Sequence, residues 1–288
     1  MTGRRAPALA SSRVSAELVI DARPRPALGR ALRDAWAFRG TTLAFAERNV
    51  RVKYKQTIFG LLWVVLQPLA FMAVFSVALG RLADVPSGGV AYAAFSLSAF
   101  VPWIFLQAAV IGGANSLVLD AAFLRKVYFP REVPVLASVL AAAVDFAGGL
   151  ALFAVVGPLL GAELSWASLL APLLGIGLVA LACGVSLLLA GLNVYYRDFR
   201  HALPFLLQLW LFASPVVYPL TVVPDRWREL YAVLNPAAGL LDSFRRTLAL
   251  GEPPDPTLLG LSLLGTVVLC VFGYALFKRL EPNFADVV

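Results

Sequence analysis

A dense collar of positive charge, followed at once by a long uncharged run, limits what this chain can fold into more than any other feature. Arg48, Arg51, Lys53 and Lys55 stand within eight residues, and the 23 residues from Ile58 to Gly80 carry no charge. At ~1.5 Å of rise per residue, such a run forms a helix long enough to cross a hydrocarbon core of ~30 Å. A basic collar at one end of a spanning helix marks its cytoplasmic side.

Composition extends this reading to the whole chain. Of 288 residues, 60% are hydrophobic and only 14% charged, against ~45–50% and ~25% in soluble domains. The expected fold is an all-α polytopic membrane protein. The net charge of +7 sits beside apolar spans, so membrane lipids and topology account for it better than nucleic acid does. Cys183 and Cys270 lie inside apolar runs and suggest neither a disulfide framework nor a metal site. His201, the single histidine, forms no ligand cluster by itself. Residues 1–26 lack the apolar core of a secretory signal, so the first span is expected to direct insertion.

Taken in order, residues 1–27 are arginine- and proline-rich and read as a flexible cytoplasmic tail. Residues 28–57 hold an amphipathic interface helix and the collar; Leu28, Leu32, Trp36, Leu43 and Ala46 recur at roughly helical spacing. Residues 58–277 form the membrane domain, with six spans expected at about 58–80, 92–119, 135–156, 168–192, 202–220 and 257–277. Residues 278–288 form a short cytoplasmic tail. Pro68 predicts a kink in the first span, because it has no N–H for the Val64 carbonyl. Between spans two and three lies a compact loop with a turn or two of helix, stopped at Pro130. The longest connection, 221–256, is too polar to span. Leu240, Phe244 and Leu248 recur in it every four residues, which predicts two short re-entrant helices at about 225–233 and 237–250. Asp145, near the middle of the third span, reads either as a polar group facing a pore or subunit interface, or as an acid neutralised by its neighbours.

Six spans put both termini on one face. Nineteen of the 24 Lys and Arg residues then fall on that face and five on the other, so both termini are expected in the cytoplasm. Four of the five exceptions, Arg226, Arg228, Arg245 and Arg246, lie between spans five and six.

Catalytic chemistry is sparse. None of the four lysines follows a glycine, so the chain has no phosphate-binding P-loop. Any ATP-driven function therefore needs a partner. Aromatic and amide side chains carry more signal. Trp63, Gln67, Phe71 and Phe75 on span one, Trp103 and Gln107 on span two, and Trp210 and Tyr218 on span five suit a channel lining. Rings stack on sugar faces, and amides bond hydroxyls.

Four stretches resemble one known family. The run from Arg51 to Pro68, RVKYKQTIFGLLWVVLQP, is similar to the start of the ABC-2 type permeases that export polysaccharides, the Wzm-like O-antigen, capsule and teichoic acid exporters. LRKVYFPRE from Leu124 resembles that family's first intracellular loop, NVYYRD from Asn193 its second, and WRELYAVLNP from Trp227 with Phe244-Arg245 its last extracellular loop. The resemblance implies a transport subunit rather than an enzyme: a homodimer in the bacterial cytoplasmic (inner) membrane, working on a lipid-linked polysaccharide with two copies of a separate ABC ATPase that binds ATP and Mg²⁺. It implies that Arg125, Lys126, Tyr128 and Phe129 couple to the ATPase. Arg226, Arg228, Phe244, Arg245 and Arg246 would form an outer gate, and Arg48, Arg51, Lys53 and Lys55 would meet the substrate at the cytoplasmic side. A permease for a drug or small lipid is the nearer alternative. An integral membrane transferase of lipid-linked sugars is the other, and would need an acid or histidine pair at the membrane surface; Asp198 with His201 is the nearest candidate.

Overall fold

The structure, a computed structural model, describes residues 36–55, 57, 59–124, 129–196 and 198–284. The helices are α1 (Arg39–Tyr54), α2 (Trp63–Phe75), α3 (Tyr92–Leu119), α4 (Ala121–Leu124), α5 (Glu132–Leu159), α6 (Ala171–Tyr195), α7 (Phe199–Phe212), α8 (Asp225–Leu234), α9 (Pro236–Leu248) and α10 (Pro256–Leu280). There is no strand among the described residues.

Local chemistry explains several boundaries. Asp255 caps α10 by accepting from the N–H groups of Thr257 and Leu258 at 2.9 and 3.1 Å, with Pro256 at the first helical position. Ser165 and Ser168 form a capping box for the 3₁₀ turn Trp166–Leu170 that leads into α6. The first span begins in a 3₁₀ turn, Gly60–Leu62, runs unbroken through Pro68, and widens to a π-helix over Ser76–Leu82.

Among the described residues, five segments are long and apolar enough to cross a membrane: Gly60–Leu82, Tyr92–Leu119, Glu132–Leu159, Trp166–Tyr195 and Pro256–Leu280. They coincide in position with the expected spans one, two, three, four and six. The expected fifth span at 202–220 is different: its helix ends at Phe212 after 14 residues, only ~21 Å of rise. The predicted interface helix Leu28–Ala46 also changes. Residues 28–35 lie outside the described residues, and the helix continues past Ala46 to Tyr54, taking in most of the collar.

Helix α3 is the centre of the bundle: 78% of its most apolar window is buried, against 6% for Gly60–Leu82. Its Phe100 stacks on Phe71 at 5.4 Å, and its Phe105 stacks on Phe146 of α5 at 4.8 Å. Close backbone approach joins α3 to α6, where a Cβ on Gly113 would lie 2.5 Å from that of Ser186. Helices α6 and α10 run parallel: Gly177 faces Leu263, Gly184 faces Cys270, and Gly191 faces Phe277 and Leu280. The chain therefore leaves α6 at one end of the bundle and returns to the opposite end before α10 starts.

Candidate functional site

The basic end of α1 does not float at a surface; it runs beside α5. Lys53 Nζ donates to Asp145 Oδ2, and the neighbouring Tyr54 hydroxyl donates to Asp145 Oδ1. Burial, reinforced by the bond to Asp145, holds the Tyr54 phenol above the ordinary tyrosine range. Asp145 is thus an acid with two partners. One turn and more earlier, Arg48 donates to both carboxylate oxygens of Asp120 at 2.8 Å. Its guanidinium lies over the rings of Phe45 and Phe123 at 4.6 and 5.2 Å. Arg51 pairs with Glu47 one turn back, and Lys55 is exposed.

Beside the Lys53–Asp145 pair is a cleft of about 90 Å³, walled by Trp63, Gln67 and Pro68 of α2, by Ile104 and Phe105 of α3, and by Phe146 of α5. Of the expected channel-lining set, this brings Trp63 and Gln67 together, both exposed. The others lie elsewhere. Phe71 and Phe75 pack on Phe100. Trp103 is 1% exposed and meets Trp210 edge-on at 5.7 Å. Trp103 is therefore core, not lining, in this conformation, because α3 is the helix the others surround. Trp210 donates from Nε1 to Asn235 Oδ1 at 2.9 Å, and the Tyr218 hydroxyl donates to the Phe212 carbonyl at 3.1 Å. Gln107 is half-buried on α3.

The far end of the molecule is built around broken backbone. After α7 stops, every carbonyl from Phe212 to Tyr218 accepts a hydrogen bond. Phe212 is served by Tyr218, Ala213 by Tyr231 and Asn235, and Ser214 by the N–H of Val216. Arg245 donates to Pro215, Val216 and Tyr218 at 2.7, 2.8 and 3.2 Å, and the Tyr92 hydroxyl to Val217 at 2.7 Å. Irregular backbone survives at membrane depth only where protein groups replace water in this way. Sequence reasoning missed Tyr92, Tyr231 and Asn235 as members of this clasp.

That arrangement corrects the expected outer gate. Arg245 is 2% exposed, stacked at 3.9 Å on Phe95, and Phe244 is fully buried. Neither is available to an external anion here, since α9 turns both into the core. Arg228 bonds the Val223 and Thr221 carbonyls and pairs with Asp225; Arg246 bonds the Pro253 carbonyl and pairs with Glu252. Arg226 is exposed beside Trp227.

Of the expected coupling residues, Arg125, Lys126 and Tyr128 lie outside the described residues. Phe129 is 5% exposed. It packs on Phe45 at 5.3 Å, in a cluster with Val133, Phe277 and Phe284. It is a buried root of its loop rather than a partner-facing anchor. Next to it, Glu132 receives Lys278 Nζ at 2.9 Å, and Lys278 also reaches Glu281 at 2.8 Å.

Residues 41–249 match a family model described as ABC-2 type transporter. The chain is similar to an "O-antigen export system permease protein RfbA" of Myxococcus xanthus, 28% identical over 89% of this chain and 98% of the relative. A protein of the same description from Klebsiella pneumoniae is 25% identical over 85% of this chain and 94% of the relative. A "Polysialic acid transport protein KpsM" of Escherichia coli is 21% identical over 84% of this chain and 93% of the relative.

Proposed function

We propose that this chain, which belongs to the ABC-2 type transporter family, is the membrane permease of an exporter that moves a lipid-linked polysaccharide across the cytoplasmic membrane. The observation that carries the reading is its match, over nearly their whole length, to permeases named for O-antigen and polysialic acid transport. No phosphate-binding loop is present in the sequence, so the free energy of transport comes from a separate ABC ATPase.

In this reading both termini are cytoplasmic, as the charge distribution argues. The fifth crossing is made by α7 together with the broken segment beyond it. The parallel course of α6 and α10 supports this, because the intervening chain has to return to the opposite end. Helices α8 and α9 then re-enter from the outside. Two copies of the chain enclose the path, and the loop holding Arg125, Lys126 and Tyr128 meets the ATPase. Helix α5 has 28 residues, ~42 Å of rise, which exceeds a ~30 Å core by some two turns. With the whole excess on the cytoplasmic side, Asp145 lies about 8 Å inside the inner boundary of the hydrocarbon, with Lys53 reaching it beside the substrate's way in.

The test is reconstitution of the full chain in vesicles with and without an ABC ATPase partner. Sequestration of a lipid-linked glycan is expected only with both proteins and ATP. ATP hydrolysis by the purified chain alone overturns the reading.

A further inference from the structure

The Lys53–Asp145 pair is lopsided in a way that a simple tether does not require. The Asp145 side chain is 16% exposed, whereas that of Lys53 is 53% exposed. The acid is enclosed and the cation is reachable. Both donors to Asp145 are the last two residues of α1, where the chain turns extended at Lys55 to reach α2. They stand at the lip of the cleft whose wall includes the Trp63 ring and the Gln67 amide. Lys53 and Asp145 are the two charged side chains that line the cleft among the described residues. The cleft therefore offers a reachable ammonium, a phenol donor, an amide and an aromatic face, with an apolar floor.

We propose that this cleft is a binding site for the phosphate headgroup of an amphiphile, and that Asp145 is the built-in anion that occupies it when empty. Lys53 contacts the phosphate, and Tyr54 and Gln67 donate the neutral hydrogen bonds. Trp63 covers the first apolar atoms beyond the headgroup. Release of Lys53 from Asp145 frees the end of α1 from α5, so occupancy of the cleft loosens the joint between α1 and α2. Phosphate is favoured over a neutral polar ligand because only an anion replaces the charge that Lys53 gives up. The apolar floor favours an amphiphile over a free ion. The export reading identifies the ligand as the transported lipid; the site itself stands on the cleft.

Binding of a radiolabelled short-chain polyprenyl phosphate to the purified full chain in detergent tests this, with neither ATP nor ATPase present. D145N is expected to bind about threefold to fivefold tighter, since the competing anion is gone, and K53M about tenfold weaker. The double variant K53M/D145N, in which no buried charge is left unpaired, is expected to fold and to bind as weakly as K53M. Competition by phosphatidylglycerol as strong as self-competition assigns the site to bulk anionic lipid; failure to compete assigns it to a dedicated carrier lipid. Both results keep the site. Binding unchanged or weakened by D145N, or unaffected by K53M, overturns it: Asp145 is then only a strut. Those results leave the export reading intact, because vesicle transport is scored separately. Absence of transport by the wild-type chain with its ATPase and ATP, beside tight D145N binding, overturns export and keeps the site.

Discussion

Two regions of this molecule handle a cation beside the membrane core in opposite ways. At one end, Lys53 stays half-exposed and faces a carboxylate. At the other, Arg245 is buried and its guanidinium nitrogens serve three backbone carbonyls instead of an acid. The flat guanidinium fork suits the second task, because it reaches several acceptors at fixed angles; a lysine ammonium is a point charge on a loose stem. The difference separates scaffolding from function. A cation whose terminal guanidinium nitrogens bond the chain's own backbone holds a shape, whereas one paired with a single exchangeable anion is available to a ligand.

Five substitutions break or sharpen this contrast, read as the thermal stability of the full chain in detergent. R245M is expected to be the most damaging, at about 5 kcal/mol, because three buried carbonyls lose their donor at ~1–3 kcal/mol each. R245K is expected to recover only part of this; full recovery would show that charge rather than fork geometry is what the turn needs. K278M comes next at about 3 kcal/mol, since it leaves Glu132, only 4% exposed at its side chain, as an unpaired buried acid. Retained stability there would mean that burial, not the kind of partner, divides the two classes. N235A, which removes the donor to Ala213 and Ser214, is expected to cost about 2 kcal/mol. K53M is expected to cost about 1 kcal/mol, because Asp145, although enclosed, keeps the Tyr54 hydroxyl as a donor and its lost partner was half in solvent. The order should invert for ligand binding and transport, where K53M is the most harmful of the five per unit of stability lost.

Most of the bundle was legible in the sequence, and the exceptions share a cause. Spans two, three, four and six are found within about three residues of their expected limits, because an apolar helix is specified by its own composition. The two short helices of the 221–256 connection were legible for a similar reason: their four-residue recurrence is local. The break after Phe212 was not. Ser214-Pro215 looks no different in the sequence from Pro68, Pro102, Pro158 or Pro204, all of which sit inside unbroken helices. What ends α7 is a set of donors drawn from Tyr92, Tyr231, Asn235 and Arg245, up to 125 positions away. The adjacent residues Arg245 and Arg246 make the same point. Both read as mouth cations, yet one turns into the core and the other out, because neighbours on a helix face directions ~100° apart. Asp145 was visible as an anomaly, but its partners lie 91 and 92 positions away, beyond any local pattern.

The glycine contacts at 177, 184 and 191 recur every seven residues along one side of α6, each against α10. At Gly184 the two backbones meet with no side chain between them, and at Gly177 and Gly191 side chains of α10 fill the space, so the two helices move as one stiff mast. Gly273 fixes the mast further, for an added methyl group there would strike the Gly184 carbonyl. A transport stroke has to be carried by the parts that stand free of it: the α1–α2 elbow at one end and the broken segment with its two short helices at the other.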